Sequence, residues 1–186
     1  MANETNRWKG FVIGMIGSVA GLLAMQAYWQ SLGAKVEEKV DLGGRDIYPE
    51  SLNLDNIAIG ERKYKEQESS TDALGRLMYQ SVTGKEPKTK ETKALLSQLV
   101  HWGYGILQGG FYGAWRDGNG RHPDLKSGAA FATGLWLLGD ELTVPALGLQ
   151  SGPTAVPPQA HLNRFGAHLA YGLATAVTTR VLHKLL

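Results

Sequence analysis

The 186-residue chain has no cysteine, which excludes disulfides, thiolate-bound zinc, iron–sulfur clusters and a thiol nucleophile. It has no surplus of charge to speak of: 19 Lys+Arg against 17 Asp+Glu leave +2, so nothing draws it to nucleic acid. It contains no Gly-x-Ser-x-Gly elbow, no His-Glu-x-x-His helix and no P-loop, the local patterns that build a nucleophile, a zinc hydrolase or a phosphate cradle. Gly118-Asn119-Gly120 reads as a turn, not a phosphate loop. These absences point to a non-catalytic protein.

What the chain does have is charge segregation. Its mean hydropathy of −0.19 suggests a soluble protein, but 23 of the 36 charged residues lie between positions 35 and 93. Residues 10–33 carry no charge, residues 94–115 only His101, and residues 127–139 and 165–179 no Asp, Glu, Lys or Arg. A bilayer-spanning helix needs about 20 mainly apolar residues. The pattern therefore predicts an all-α, integral membrane four-helix bundle with spans near 9–32, 93–115, 127–148 and 160–182. Arg164 and Arg180 bracket the last core and can snorkel to an interface. A soluble helical domain is the alternative, but residues 11–28 lack the polar face that a soluble helix carries. A cleaved signal peptide is the other; the run is long for one, and Met25-Gln26-Ala27 is a poor cleavage pattern, so an anchor is expected.

Lys and Arg favour cytoplasmic loops and helix ends. Arg7 and Lys9 precede the first span; Arg116, Arg121 and Lys126 lie between the second and third; Arg180 and Lys184 end the chain; residues 150–159 are uncharged. Both termini are thus expected in the cytoplasm. Three regions follow: 1–32, a tail and first span; 33–92, a polar extramembrane loop; and 93–186, spans two to four. The loop is too poor in apolar residues to bury a core of its own. Residues 41–59, with Gly43, Gly44 and Pro49, read as irregular. Residues 70–83 read as an amphipathic helix capped by Ser70 or Thr71 and ended by Gly84, with Leu74, Leu77, Met78 and Val82 on its apolar side. That side rests on the bundle or membrane, or docks a partner. The basic-rich run 85–93 reads as a solvated collar.

Gly10, Gly14, Gly17 and Gly21 form a ridge on the first span, and Gly105, Gly109 and Gly113 another on the second. Small-residue ridges let helices approach closely in lipid. They serve packing within the chain, or face a neighbouring subunit or a pigment-like ligand. Trp8, Trp29, Trp102, Trp115, Tyr28 and Tyr48 fit interfacial anchors.

Ionisable groups inside spans are functional candidates by default. His101, Gln108 and Tyr112 share a face of the second span; His168 lies on the fourth, flanked by Arg164 and Tyr171; Asp140 and Glu141 lie on the third. At 1.5 Å per residue, His101, Glu141 and His168 reach similar depths, roughly 10–12 Å from the outer side, where histidine and carboxylate neutralise each other. His161 falls nearer the surface and reads as interfacial. The cluster fixes helix register, handles protons or ions, or binds a metal, haem or chlorin through His101 and His168. No His-x-x-x-His or Glu-x-x-His pairing supports a particular metal, so the cofactor stays unknown.

His101 followed by Gly109 and Phe111-Tyr112-Gly113, the run from Leu142 to Leu149 after Asp140-Glu141, and Gly166-Ala167-His168-Leu169 resemble, in order and spacing, the YagU-like family of bacterial inner-membrane proteins, a group carried mainly as a domain of unknown function. The resemblance covers spans two to four. It implies a four-helix integral membrane protein and supplies no reaction; the polar loop departs from it. The expected role is that of an accessory or scaffolding subunit in a bacterial inner membrane, among lipids and other membrane-protein subunits. A small proton- or ion-handling protein is the alternative, although no inverted repeat is evident.

Overall fold

The computed structural model describes residues 6–36, 54–66 and 68–186. Their regular structure is entirely helical, without a strand among the described residues, and forms five helices. Helix α1 spans Arg7–Tyr28 and runs on through a π-helical turn, Trp29–Gly33. Helix α2 is Ser70–Thr83 and α3 is Lys90–Gly118. Helix α4, Leu125–Gly134, passes into a nine-residue π-helical stretch, Leu135–Thr143, and a last short turn, Val144–Ala146. Helix α5 is Pro158–Leu185. Among the described residues one helical stretch, Arg7–Val36, is long and apolar enough to cross a membrane by length and composition, with mean hydropathy 1.7. Helices α3 and α5 are long, 29 and 28 residues, but carry polar side chains within the same lengths. Residues 37–53, with Gly43, Gly44, Tyr48 and Pro49, lie outside the described residues.

The chain divides into two compact units. The first comprises Met1–Val36, Gly103–Trp136 and Leu162–Leu186. Here α1 runs antiparallel to α3, because Gly10 meets Gly113, Gly14 meets Gly109, and Gly105 meets Leu22. A Cβ on Gly14 or Gly113 would strike the facing backbone carbonyl, so the two ridges close on each other. Further along the same glycine ridge α1 meets α5, where Thr179 lies against Gly17 and Thr175 against Gly21. Helix α4 approaches α5 where a Cβ on Gly128 would lie 2.8 Å from the Gly172 carbonyl. Capping fixes the helix starts: Asn6 accepts from the Lys9 amide, and Asp124 and Ser127 form a reciprocal capping box. The interior mixes apolar side chains, Ile13, Leu22 and Met25 among them, with hydroxyls. Ser18, Thr175 and Thr179 are fully buried, Tyr112 and Ser127 share a 2.7 Å hydrogen bond, and Tyr171 donates to the Gly105 carbonyl at 2.6 Å.

The second unit comprises Glu37–Trp102 and Leu137–His161. Helix α2 begins at Ser69, one residue before the expected cap, in a reciprocal capping box with Asp72, and ends at Gly84, whose φ of 70° suits glycine. Its inward face differs from the expected one. Ala73, Gly75 and Arg76 are buried, whereas Met78 and Val82 are 55% and 85% exposed. Arg76 causes this. Its guanidinium bonds Glu68 at 2.7 and 2.8 Å and the Lys63 carbonyl at 2.6 Å, drawing its own face inward. Gly75 then lets α2 close on Leu96 of α3, and Thr71 bonds Ser97 at 2.8 Å. Residues 54–66 are held by the chain itself: the Ile59 amide donates to the Ala146 carbonyl, those of Lys63 and Tyr64 to Gly148, and that of Gly152 to Asp55.

Candidate functional site

The third predicted span departs from α-helical geometry where its acidic pair lies. Residues Leu135–Thr143 are π-helical, and π segments are rare and frequent at functional sites. Such a widened turn leaves carbonyls in need of donors. Thr143 Oγ1 donates to the Leu138 carbonyl at 2.6 Å, and Gln150 Nε2 supplies the Asp140 carbonyl. The wide stretch turns Glu141 inward, 5% exposed, while Asp140 is half-buried.

Glu141 meets His161, in the first turn of α5. Nδ1 of His161 lies 2.8 Å from Oε2 of Glu141, and the two side chains are 19% and 7% exposed. The other carboxylate oxygen, Oε1, is buried with no hydrogen-bond partner. Taking two such groups out of water is costly unless they pair and satisfy their remaining lone pairs. The orphan oxygen is therefore the chemically distinctive atom of the site: an acceptor poised in low dielectric beside an imidazole. His161, expected as an interfacial residue, is thus also the partner of Glu141.

The remaining candidates are distributed between the units. His101 belongs with Asp140, Glu141 and His161 to the second. Gln108, Tyr112, Arg164, His168 and Tyr171 belong to the first. His168 is half-buried, and its Nδ1 lies 2.9 Å from the Arg164 carbonyl one turn back, a local contact that fixes the ring. Tyr112 stacks on Phe131 with centroids 4.6 Å apart. Tyr112 and Tyr171 thus act as packing groups with satisfied hydroxyls. The glycines Gly10, Gly14, Gly17, Gly21, Gly105, Gly109 and Gly113 all serve contacts within the first unit. The polar residue that sequence reasoning passed over there is Asn163, buried, which accepts from Tyr28 at 3.0 Å and donates to the Gly33 carbonyl at 3.1 Å, fastening the end of α1.

Comparison with known proteins returned no match: no family model, no curated protein and no solved structure is significantly similar to this chain.

Proposed function

We propose that the chain is a four-span, non-catalytic membrane protein of a bacterial inner membrane, with both termini cytoplasmic, serving as an accessory or scaffolding subunit of a larger membrane complex. One observation carries the membrane part: the first unit buries small hydroxyl and amide groups beside its apolar core and leaves many large apolar side chains on its outside. Its buried residues include Ser18, Ser127, Asn163, Thr175 and Thr179, while Val12, Ile16, Leu23, Leu107, Phe111, Trp115, Val177 and Val181 are exposed. A water-soluble bundle seldom combines buried polar groups with so many exposed large apolar ones. A bundle in lipid packs on small residues and hydrogen bonds, and turns Leu, Val and Phe outward. The start of α1, the end of α3 and the end of α5 gather at one end of this unit, since Arg7 packs on Gly118 and the rings of His122 and His183 are 5.6 Å apart. That gathering supports the topology in which Arg7, Lys9, Arg116, Arg121, Lys126, Arg180 and Lys184 share the cytoplasmic side. The YagU-like resemblance points the same way.

The accessory role rests on the second unit. Ile59, Met78 and Val82 are 85%, 55% and 85% exposed within a strongly charged stretch, where lipid is not the expected cover, and exposed apolar groups there suit a protein partner. Purification of the tagged chain in mild detergent, with mass spectrometry and an absorption spectrum on one sample, tests the reading. Co-purifying membrane subunits in fixed ratio support it; a lone 20.2 kDa chain overturns it. A coloured sample would instead favour haem or chlorin bound through His101 or His168.

Glu141 and His161 support a second reading, a proton- or ion-handling protein. A buried carboxylate with one unpartnered oxygen beside an imidazole is the kind of ionisable pair that lines proton and ion paths in membrane proteins. Proton flux in reconstituted vesicles, abolished by Glu141→Gln, supports this reading; flux at the level of empty vesicles overturns it.

A further inference from the structure

We infer that Asp117, His122 and His183 form a binding site for a divalent first-row transition ion of the zinc type, independent of the Glu141–His161 pair and of the proposed scaffolding role. The three residues come from the last turn of α3, the loop that follows it and the last turn of α5, all within the first unit. One ligand atom from each lies within 4.8 Å of the other two. Two imidazoles and one carboxylate are a donor set that suits zinc and its neighbours, with three protein ligands leaving a position for water.

One further observation points to a ligand rather than to a chance meeting. Nε2 of His183 is buried and has no hydrogen-bond partner, an unusual state for an imidazole nitrogen shielded from water. The backbone is also built for close approach at Asp117: a Cβ on Gly10 would lie 2.6 Å from Asp117 Cβ, so the glycine at the start of α1 seats the carboxylate-bearing residue against the helix. The parallel register of α3 and α5 brings the pair together. Tyr171 bonds Gly105, and twelve residues further along each helix His183 meets Asp117.

An ion held at about 2.0–2.2 Å from each donor requires the donors to stand roughly 3.3–3.5 Å apart. Closing from the present spacing takes a rotation of His122, whose side chain is exposed and on a loop.

The test is titration of Zn²⁺ into the chelator-stripped full chain in detergent, followed by calorimetry. One equivalent per chain is expected, with affinity lowered at least about tenfold by His122→Ala and by His183→Gln, and unchanged by His168→Ala. Substoichiometric uptake, or uptake that survives in the double variant His122→Ala/His183→Gln, overturns the inference. Helical circular dichroism accompanies each titration. Should His183→Gln lose helicity, His122→Ala, on the exposed loop, decides alone.

Discussion

Glu141 and His161 are joined at 2.8 Å in the interior of the second unit, one from a π-helical stretch and the other from the first turn of α5. Breaking a buried pair from one side leaves an uncompensated polar group and costs about 3–5 kcal/mol, whereas replacing both members by apolar residues is often neutral. His161→Leu is therefore expected to lower the thermal midpoint strongly, and Glu141→Leu/His161→Leu to recover most of the loss. Thermal melts of the four proteins of the cycle measure the coupling. Additive effects of the two single changes would show that the pair contributes nothing as a pair.

The glycine ridges give a graded prediction. A methyl on Gly14 or Gly113 meets backbone of the facing helix, which cannot swing aside, while one on Gly103 meets nothing within 4 Å. Gly14→Ala and Gly113→Ala are each expected to destabilise by about 1–3 kcal/mol through overpacking. Gly103→Ala, in mid-helix, is expected to stabilise by up to about 1 kcal/mol. Differential scanning of the three variants checks the order. Equal midpoints for Gly14→Ala and Gly103→Ala would contradict the contact between α1 and α3.

Arg76 and Glu68 set an acid limit on the second unit. The Arg76 hydrogen bond, assisted by the Lys65 amide and opposed by burial, lowers the Glu68 pKa from its usual 4.5. A carboxylate whose folded pKa is depressed stabilises the fold above its unfolded value and loses that contribution as pH falls through the folded one. Helix α2 should therefore hold firm at neutral pH and loosen only below about pH 4.5, and Glu68→Gln should flatten that dependence. Amide exchange across Ser70–Thr83 at stepped pH reports it. Loosening that begins near neutrality, or persists unchanged in Glu68→Gln, would contradict this role for the pair.

Helicity was legible because charge and apolar runs alternate at helix length, and the ends of α2 were legible to within a residue because Ser69, Asp72 and Gly84 are capping chemistry. The side of α2 that faces inward was not. Its apolar residues suggested one face, but Arg76 found Glu68 and the Lys63 carbonyl and turned another inward. The glycine ridges announced close packing without saying against what. The π-helical stretch around Glu141 has no sequence signature, since it depends on side chains such as Thr143 and Gln150 meeting the freed carbonyls. Asp117, His122 and His183 form no local motif. Their shared trait is position beside the basic ends of three segments, a hint of common location and not of chemistry.

Ile16 separates a membrane bundle from a water-soluble one. It sits near the middle of α1 and is 51% exposed. In water, a lysine at such a site changes stability by no more than about 0.5 kcal/mol, as surface substitutions do. At the centre of a spanning helix the same lysine opposes insertion by about 2.5–3.5 kcal/mol. Ile16→Lys is therefore expected to reduce membrane integration markedly, while Gln26→Lys, exposed near the end of the same helix, can snorkel and is expected to be tolerated. Alkaline carbonate extraction of membranes from cells expressing each variant gives the partition directly. Recovery of the unchanged chain in the soluble fraction, with Ile16→Lys behaving alike, would mean that the apolar exterior of the first unit is covered by protein and not by lipid.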